Sequence, residues 1–220
     1  MITDERTAAF IDTLAGMNTP DLAELEKKAA DAGIPIIRRP AQSLLKFILA
    51  DIEPERILEI GTATAFSAIF MATYGRDVLI DTIENYKPRI EAAKQNIKDA
   101  GLEERINLIE GDALEIIEAL AKEQKSYDMI FIDAAKAQYL NFLPVCKGML
   151  RDGGILVSDN VLFDGDIVQS RFAVRRRDRT IHARMREYLR ALTEDEELVT
   201  VILPIGDGMT LSVKKQVENE

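Results

Sequence analysis

Between Glu55 and Asp159 five short apolar runs alternate with helix-length amphipathic segments. The runs are "RILEIG", "DVLIDTIE", "INLIEG", "YDMIFID" and "GGILVSD". The segments between them run from about Ala65 to Tyr74, Lys87 to Gly101, Asp112 to Glu123, and a last one ending at Met149. Pro88 sits near the start of the second and Gly101 closes it, as helix signals require. Parallel strands need a long crossover between them, and a helix supplies it. The rhythm therefore predicts a doubly wound parallel sheet with helices on both faces, and right-handed crossovers limit its topology. Two regions break the rhythm. Residues before Glu53 read as extra helices: Asp4 to Gly16, Thr19 to Gly33 with Pro20 at its first position, and Arg39 to Asp51. "LVTVILPIGDGMTLSVKK" reads as strand, Gly-Asp-Gly turn and strand, which places one antiparallel strand in the sheet. The expectation is one α/β domain over 1–220, with helices in 1–52 and the sheet in 53–220.

Composition narrows the function classes. No apolar run is long enough to span a bilayer, so no membrane partner is expected. "MITDERTAAF" lacks the basic start and apolar core of a secretory signal. Cys146 is the only cysteine, which rules out intrachain disulfides and cysteine-cluster metal sites and favours a reducing cytoplasm. The net charge of −10 argues against general nucleic-acid binding, though not against a local basic patch. His182 is the only histidine and reads as a surface helix residue.

Polar residues at the ends of the apolar runs carry the chemistry. "LEIGTATAFSA" follows a strand and opens a helix, the place where doubly wound folds bind nucleotide-like ligands. Only Gly61 of a GxGxxG is present, no Walker lysine follows, and Glu59 is acidic where a diphosphate prefers positive surroundings. A cationic, phosphate-free cofactor such as S-adenosylmethionine fits; a plain tight turn is the other reading. Glu84 ends the second run, where a carboxylate can bind ribose hydroxyls or simply face solvent. Asp112 and the Ala113 backbone either face an adenine edge or cap the next helix. Asp133 ends the fourth run, and Asp159 and Asn160 end the fifth. Neighbouring strands lie roughly 5 Å apart, so three oxygen donors meet at one sheet edge. Such a set suits a hard cation, with Mg²⁺ the natural choice; two helix caps and a turn asparagine are the alternative. Lys136 lies one helical turn beyond Asp133. Beside a cation its pKa should fall, fitting it to accept a substrate hydroxyl proton; without one it is a surface lysine.

As a set, "LEIGTATAFSA", Glu84, "GDAL", "FIDAAK" and "SDN" resemble the class I S-adenosylmethionine- and metal-dependent O-methyltransferases related to catechol O-methyltransferase. The resemblance covers nearly the whole chain. It implies a Rossmann-like, seven-stranded, mostly parallel sheet with an antiparallel C-terminal hairpin strand. It implies Mg²⁺ held by Asp133, Asp159 and Asn160, and a cofactor contacted by Ser67, Glu84, Asp112, Ala113 and the Ile37 backbone. It also implies a homodimer. "IDAAKAQYLNF", "DNVLFDGDIV", "RRRDR" and "ILPIGDGMTLSVKK" are most similar to the bacterial branch that methylates 5-hydroxyuridine in tRNA.

A catechol and a 5-hydroxyuracil both offer two adjacent oxygens, so the metal ligands do not separate these substrates. Ala134 and Ala135 are small pocket-side positions and the chain contains no Trp, whereas the catechol enzymes it resembles close on a small ring with bulky aromatics, so a wider entrance is expected. Phe163 or Phe172 could stack on a base. From Arg171 to Arg190 eight arginines fall in twenty residues, opposed only by Asp178 and Glu187. Arginine suits phosphate, so Arg175, Arg176, Arg177 and Arg179 are assigned to tRNA; a solvated basic helix is the bland reading. Phe163 to Asp178 reads as a lid that orders with substrate. The expected activity is methylation of tRNA 5-hydroxyuridine. The alternatives are a small-phenol O-methyltransferase and a non-catalytic nucleotide-binding regulator.

Overall fold

The computed structural model describes residues 5–170 and 172–216; within these, the side chains of residues 5, 8, 163 and 164 are not described. Three helices come first: α1 (Glu5–Leu14), α2 (Pro20–Asp31) and α3 (Arg39–Ile52). The alternating region follows as β1 (Arg56–Ile60), α4 (Phe66–Tyr74), β2 (Leu79–Glu84), α5 (Lys87–Asp99), β3 (Ile106–Glu110), α6 (Ala113–Lys122), β4 (Tyr127–Ile132), α7 (Tyr139–Met149) and β5 (Leu150–Ser158). The chain closes with α8 (Arg179–Glu194), β6 (Leu198–Leu203) and β7 (Met209–Lys214). Short 3₁₀ turns occupy Lys136–Gln138, Phe163–Val168 and Arg176–Asp178.

The seven strands lie in the order β3-β2-β1-β4-β5-β7-β6. Strands β1 to β5 pair parallel, and β7 runs antiparallel to both β5 and β6. The expected Rossmann-like α/β sheet with its C-terminal hairpin and N-terminal helices is therefore what forms. Strand β5 starts at Leu150, earlier than Gly153, because buried Leu150 pairs with Tyr127 across an irregular register.

The pleat sorts the core. Ile57, Met129, Phe131, Ile155 and Val157 pack on one face with α3, α4 and α5. Leu58, Ile60, Ile130, Ile132 and Leu156 pack on the other with α6, α7 and α8. Neighbouring residues alternate between faces, as strands covered on both sides demand. The chain winds outward from β1 through β2 to β3, then returns to β4 on the other side of β1. A crevice opens beyond the carboxyl ends of β1 and β4, the switch point where ligands bind in such sheets.

Candidate active site

A cavity of about 590 Å³ occupies that crevice, within the range of small-molecule sites. Gly61, Glu84, Asp112, Ala113, Asp133, Lys136, Asp159 and Asn160 all line it. Residues at the carboxyl ends of five strands, β1 to β5, thus converge on one cavity.

The turn after β1 is tight for identifiable reasons. Gly61 has φ +107°, and a Cβ there would meet the Asp133 carbonyl oxygen at 2.1 Å. No residue but glycine lets β1 and β4 end this close together. Ala63 and Ala65 also adopt positive φ, 47° and 66°. Ala63 is held there by Glu84, whose Oε2 accepts its N–H at 2.9 Å. Glu84 Oε1 accepts the N–H groups of Asn85 and Tyr86, each at 3.0 Å. Glu84 thus organises two turns, with acceptor capacity left on Oε2.

Glu59 and Ser67 do not line the cavity; they lie buried behind the turn. Glu59 faces Thr82 across the β1–β2 pairing, and Thr82 Oγ1 donates to its Oε2 at 2.5 Å. Ser67 lies beside the same carboxyl, yet burial dominates and pushes Glu59 up to about 8. Glu59 Oε1 is buried with no hydrogen-bond partner. Asp112 caps α6 by accepting from Leu114 N at 2.9 Å and Glu115 N at 3.3 Å, so it serves as a cap while also facing the cavity. Ile37 does not line the cavity. Its side chain is buried in the core and its carbonyl accepts Gln42 Nε2 at 2.9 Å, so Ile36 and Arg38 face the cavity instead.

The carboxylates at the ends of β4 and β5 face one space. Asn160 has φ +62°, and its Nδ2 donates to Asp133 Oδ1 at 2.8 Å. Its N–H donates to Asp159 Oδ1 at 2.7 Å. Burial pushes Asp133 up, opposed by the Asn160 bond and by Lys136 and Arg89. Burial, then the Asp133 charge, push Asp159 up to about 7. Two carboxylates that each resist ionisation here would be relieved by a cation between them. Among the described residues no three His, Cys, Asp or Glu side chains form a metal cluster; the donor set is two carboxylates and one amide. The amide turns its nitrogen to Asp133, and a half-turn of that group would present its oxygen.

Sequence reasoning missed several lining residues. Asp207, in the hairpin turn, faces the cavity, and its carboxylate pairs with Arg38 at 2.8 Å. Arg89 and Gln138 also line it. A turn aspartate far along the chain carries no signal that it will fold beside Asp159.

The arginine segment lies apart from the cavity. Arg175, Arg176 and Arg177 are exposed, and Arg175 and Arg177 border a separate recess with Asp166. Arg179 is half-buried, and its Nε and Nη2 donate to the carbonyls of Val174 and Phe172, at 3.3 and 3.4 Å. Arg186 donates to the Ile167 carbonyl at 2.9 Å and Arg184 to that of Ala137 at 2.7 Å. Arg171 and the Phe163 side chain lie outside the described residues. Phe172 is 83% exposed. His182 is on a helix, as read, but not on the surface: it is buried against the Phe163–Val168 turn, with Nε2 3.2 Å from the Gln169 carbonyl.

Residues 14–215 match the family profile described as O-methyltransferase. The chain is 34% identical to a catechol O-methyltransferase of Niastella koreensis, across 72% of this chain and 74% of that one. It is 32% identical to the caffeoyl-CoA O-methyltransferase of Medicago sativa, across 76% and 70%. Among solved structures, a Staphylococcus aureus protein provisionally named a caffeoyl-CoA O-methyltransferase superposes with a TM-score of 0.87 at 33% identity, covering 96% of this chain and all of that one. A Podospora anserina methyltransferase solved with bound S-adenosylhomocysteine superposes at 0.85 and 26% identity, covering 96% and 95%. The chain belongs to the S-adenosylmethionine-dependent O-methyltransferases of the catechol and caffeoyl-CoA type.

Proposed function

We propose that the protein methylates a ring hydroxyl that has a second oxygen beside it, and that its substrates are small phenols of the catechol type. One observation carries the reaction in this reading: Asp133, Lys136, Asp159 and Asn160 line the same cavity as Glu84, Asp112 and Ala113. The names of the relatives support a phenolic substrate over a nucleic acid.

The cofactor fits the acid-rich wall, because it brings an ammonium and a sulfonium and no phosphate. Glu84 binds the ribose hydroxyls through its remaining acceptor capacity, and Asp112 with the Ala113 backbone meets the adenine. Asp133, Asp159 and Asn160 would hold Mg²⁺, which when bound supplies charge to acidify and orient the substrate oxygens. Lys136 lines the cavity beside Asp133 and is the residue placed to take the hydroxyl proton. The substrate oxygen then forms a bond to the methyl carbon as the carbon–sulfur bond breaks, with its electron pair left on sulfur. The chain's contribution is positioning and charge stabilisation.

The test is labelled cofactor and Mg²⁺ incubated with catechol and, separately, with hydroxyuridine-containing tRNA. Catechol should be methylated, and EDTA or Asp159→Ala should abolish turnover. Full activity in chelator would remove the metal from the reading.

A second substrate reading rests on exposed Phe172 and Arg175 to Arg177, a stacking ring and three cations on the segment that follows Asn160. On that reading tRNA 5-hydroxyuridine is the substrate. Arg175→Glu with Arg176→Glu would then weaken tRNA binding and leave cofactor affinity intact. Exposed Phe10, Ile11, Leu14 and Phe47 on α1 and α3 support a homodimer, which light scattering after gel filtration would test. Among the described residues no helix is long and apolar enough to cross a membrane. The buried free thiol of Cys146 accords with a cytoplasmic location.

A further inference from the structure

Tyr139, the first residue of α7, is fully buried, and its hydroxyl sits between the ends of two strands. Oη lies 3.0 Å from the Asp159 carbonyl oxygen and 3.3 Å from that of Ile132. It also accepts the Ala134 N–H at 3.3 Å. One phenol therefore touches the residue before Asp133, the residue after it, and Asp159 itself. The last rung between β4 and β5 is Asp159 N–H to the Ile132 carbonyl, at 2.9 Å. Past that rung, among the described residues, the Tyr139 hydroxyl is what joins the two main chains.

The ring is itself held. It meets Tyr188 edge-on, with centroids 5.4 Å apart and planes at 83°. The Tyr188 hydroxyl in turn bonds Ser158 Oγ at 2.5 Å. Tyr188 thus anchors β5 without reaching β4, whereas Tyr139 ties β5 to β4.

Two like-charged carboxylates facing one space repel, and the repulsion acts to spread the strand ends that carry them. A cation site needs the opposite: donors held at a fixed separation within tenths of an ångström. Groups behind the ligands do this work, and removing one typically costs 10–100-fold in metal affinity. We propose that Tyr139 is a positioning residue that sets the separation of Asp133 and Asp159 by clamping the ends of β4 and β5. This rests on the metal reading above.

The test uses Mn²⁺ as probe, with free ion read by electron paramagnetic resonance and S-adenosylhomocysteine affinity measured on the same samples. Tyr139→Phe keeps the ring and removes only the hydroxyl. Its Mn²⁺ dissociation constant should rise about tenfold or more over wild type, with S-adenosylhomocysteine affinity unchanged. Tyr188→Phe removes a hydroxyl of equal burial and should lower the melting temperature while leaving Mn²⁺ affinity as in wild type. If wild type binds no Mn²⁺, the metal reading and the clamp both fall. If wild type binds and Tyr139→Phe binds equally well, or both tyrosine variants lose affinity alike, the clamp alone is overturned. Should Tyr139→Phe not fold, it should fold in the Asp133→Asn background, where the repulsion is gone. Failure there too would make the hydroxyl a general packing element and refute the proposal.

Discussion

Glu59 is a carboxylic acid placed where the pleat of β1 puts a core residue. Its sequence neighbours read as an apolar strand, and the sequence gives no sign that the acid will be buried. The structure holds it near a pKa of about 8 by burial, against an ordinary 4.5. Between these values the folded protein keeps a proton that the unfolded chain has released. Stability therefore falls as pH rises through that window. Glu59→Gln has nothing to titrate there, so its urea midpoint should decline less between about pH 5 and pH 8, by an amount worth on the order of 2–4 kcal/mol. Equal declines would refute a buried, protonated Glu59. Gly61 is read from sequence as a turn residue. The fold adds a second constraint, the Asp133 carbonyl 2.1 Å from where a Cβ would stand. Gly61→Ala should cost at least ~2 kcal/mol in a denaturation curve and reduce turnover by separating β1 from β4.

At the scale of elements, α8 shows what a charge count misses. Arginines along a linear segment look equivalent, but a helix turns each in its own direction. Arg179, Arg184 and Arg186 reach the main-chain carbonyls of Val174, Ala137 and Ile167, while Arg175 to Arg177 remain exposed. The segment read as a lid is in this structure tied to α8 by Arg179, Arg186 and His182. Arg186→Met keeps the aliphatic stem and removes the donor to Ile167. Amide hydrogen exchange over 163–170 should speed up, with a stability loss of about 1 kcal/mol. Unchanged exchange there would show that other contacts hold the segment.

The whole molecule carries a net charge of −10. If tRNA binds, it does so through Arg175, Arg176 and Arg177, and a plot of log affinity against log salt should have a slope between about −2 and −3. A much steeper slope would require a basic surface elsewhere. The sequence by itself determined the layered α/β fold and the polar residues that close the apolar runs, because apolar periodicity and helix caps are local and the chain leaves the core where each run stops. It also placed Asp133, Lys136, Asp159 and Asn160 in one site, since parallel neighbours bring equivalent ends together. Only the tertiary structure decided that Ile37 turns inward, that Asp207 and Arg38 reach the cavity, that the α8 arginines serve the backbone, and that Tyr139 spans two strands. Those outcomes depend on contacts between residues far apart in the chain, where direction and distance are set by packing and leave no period in the sequence.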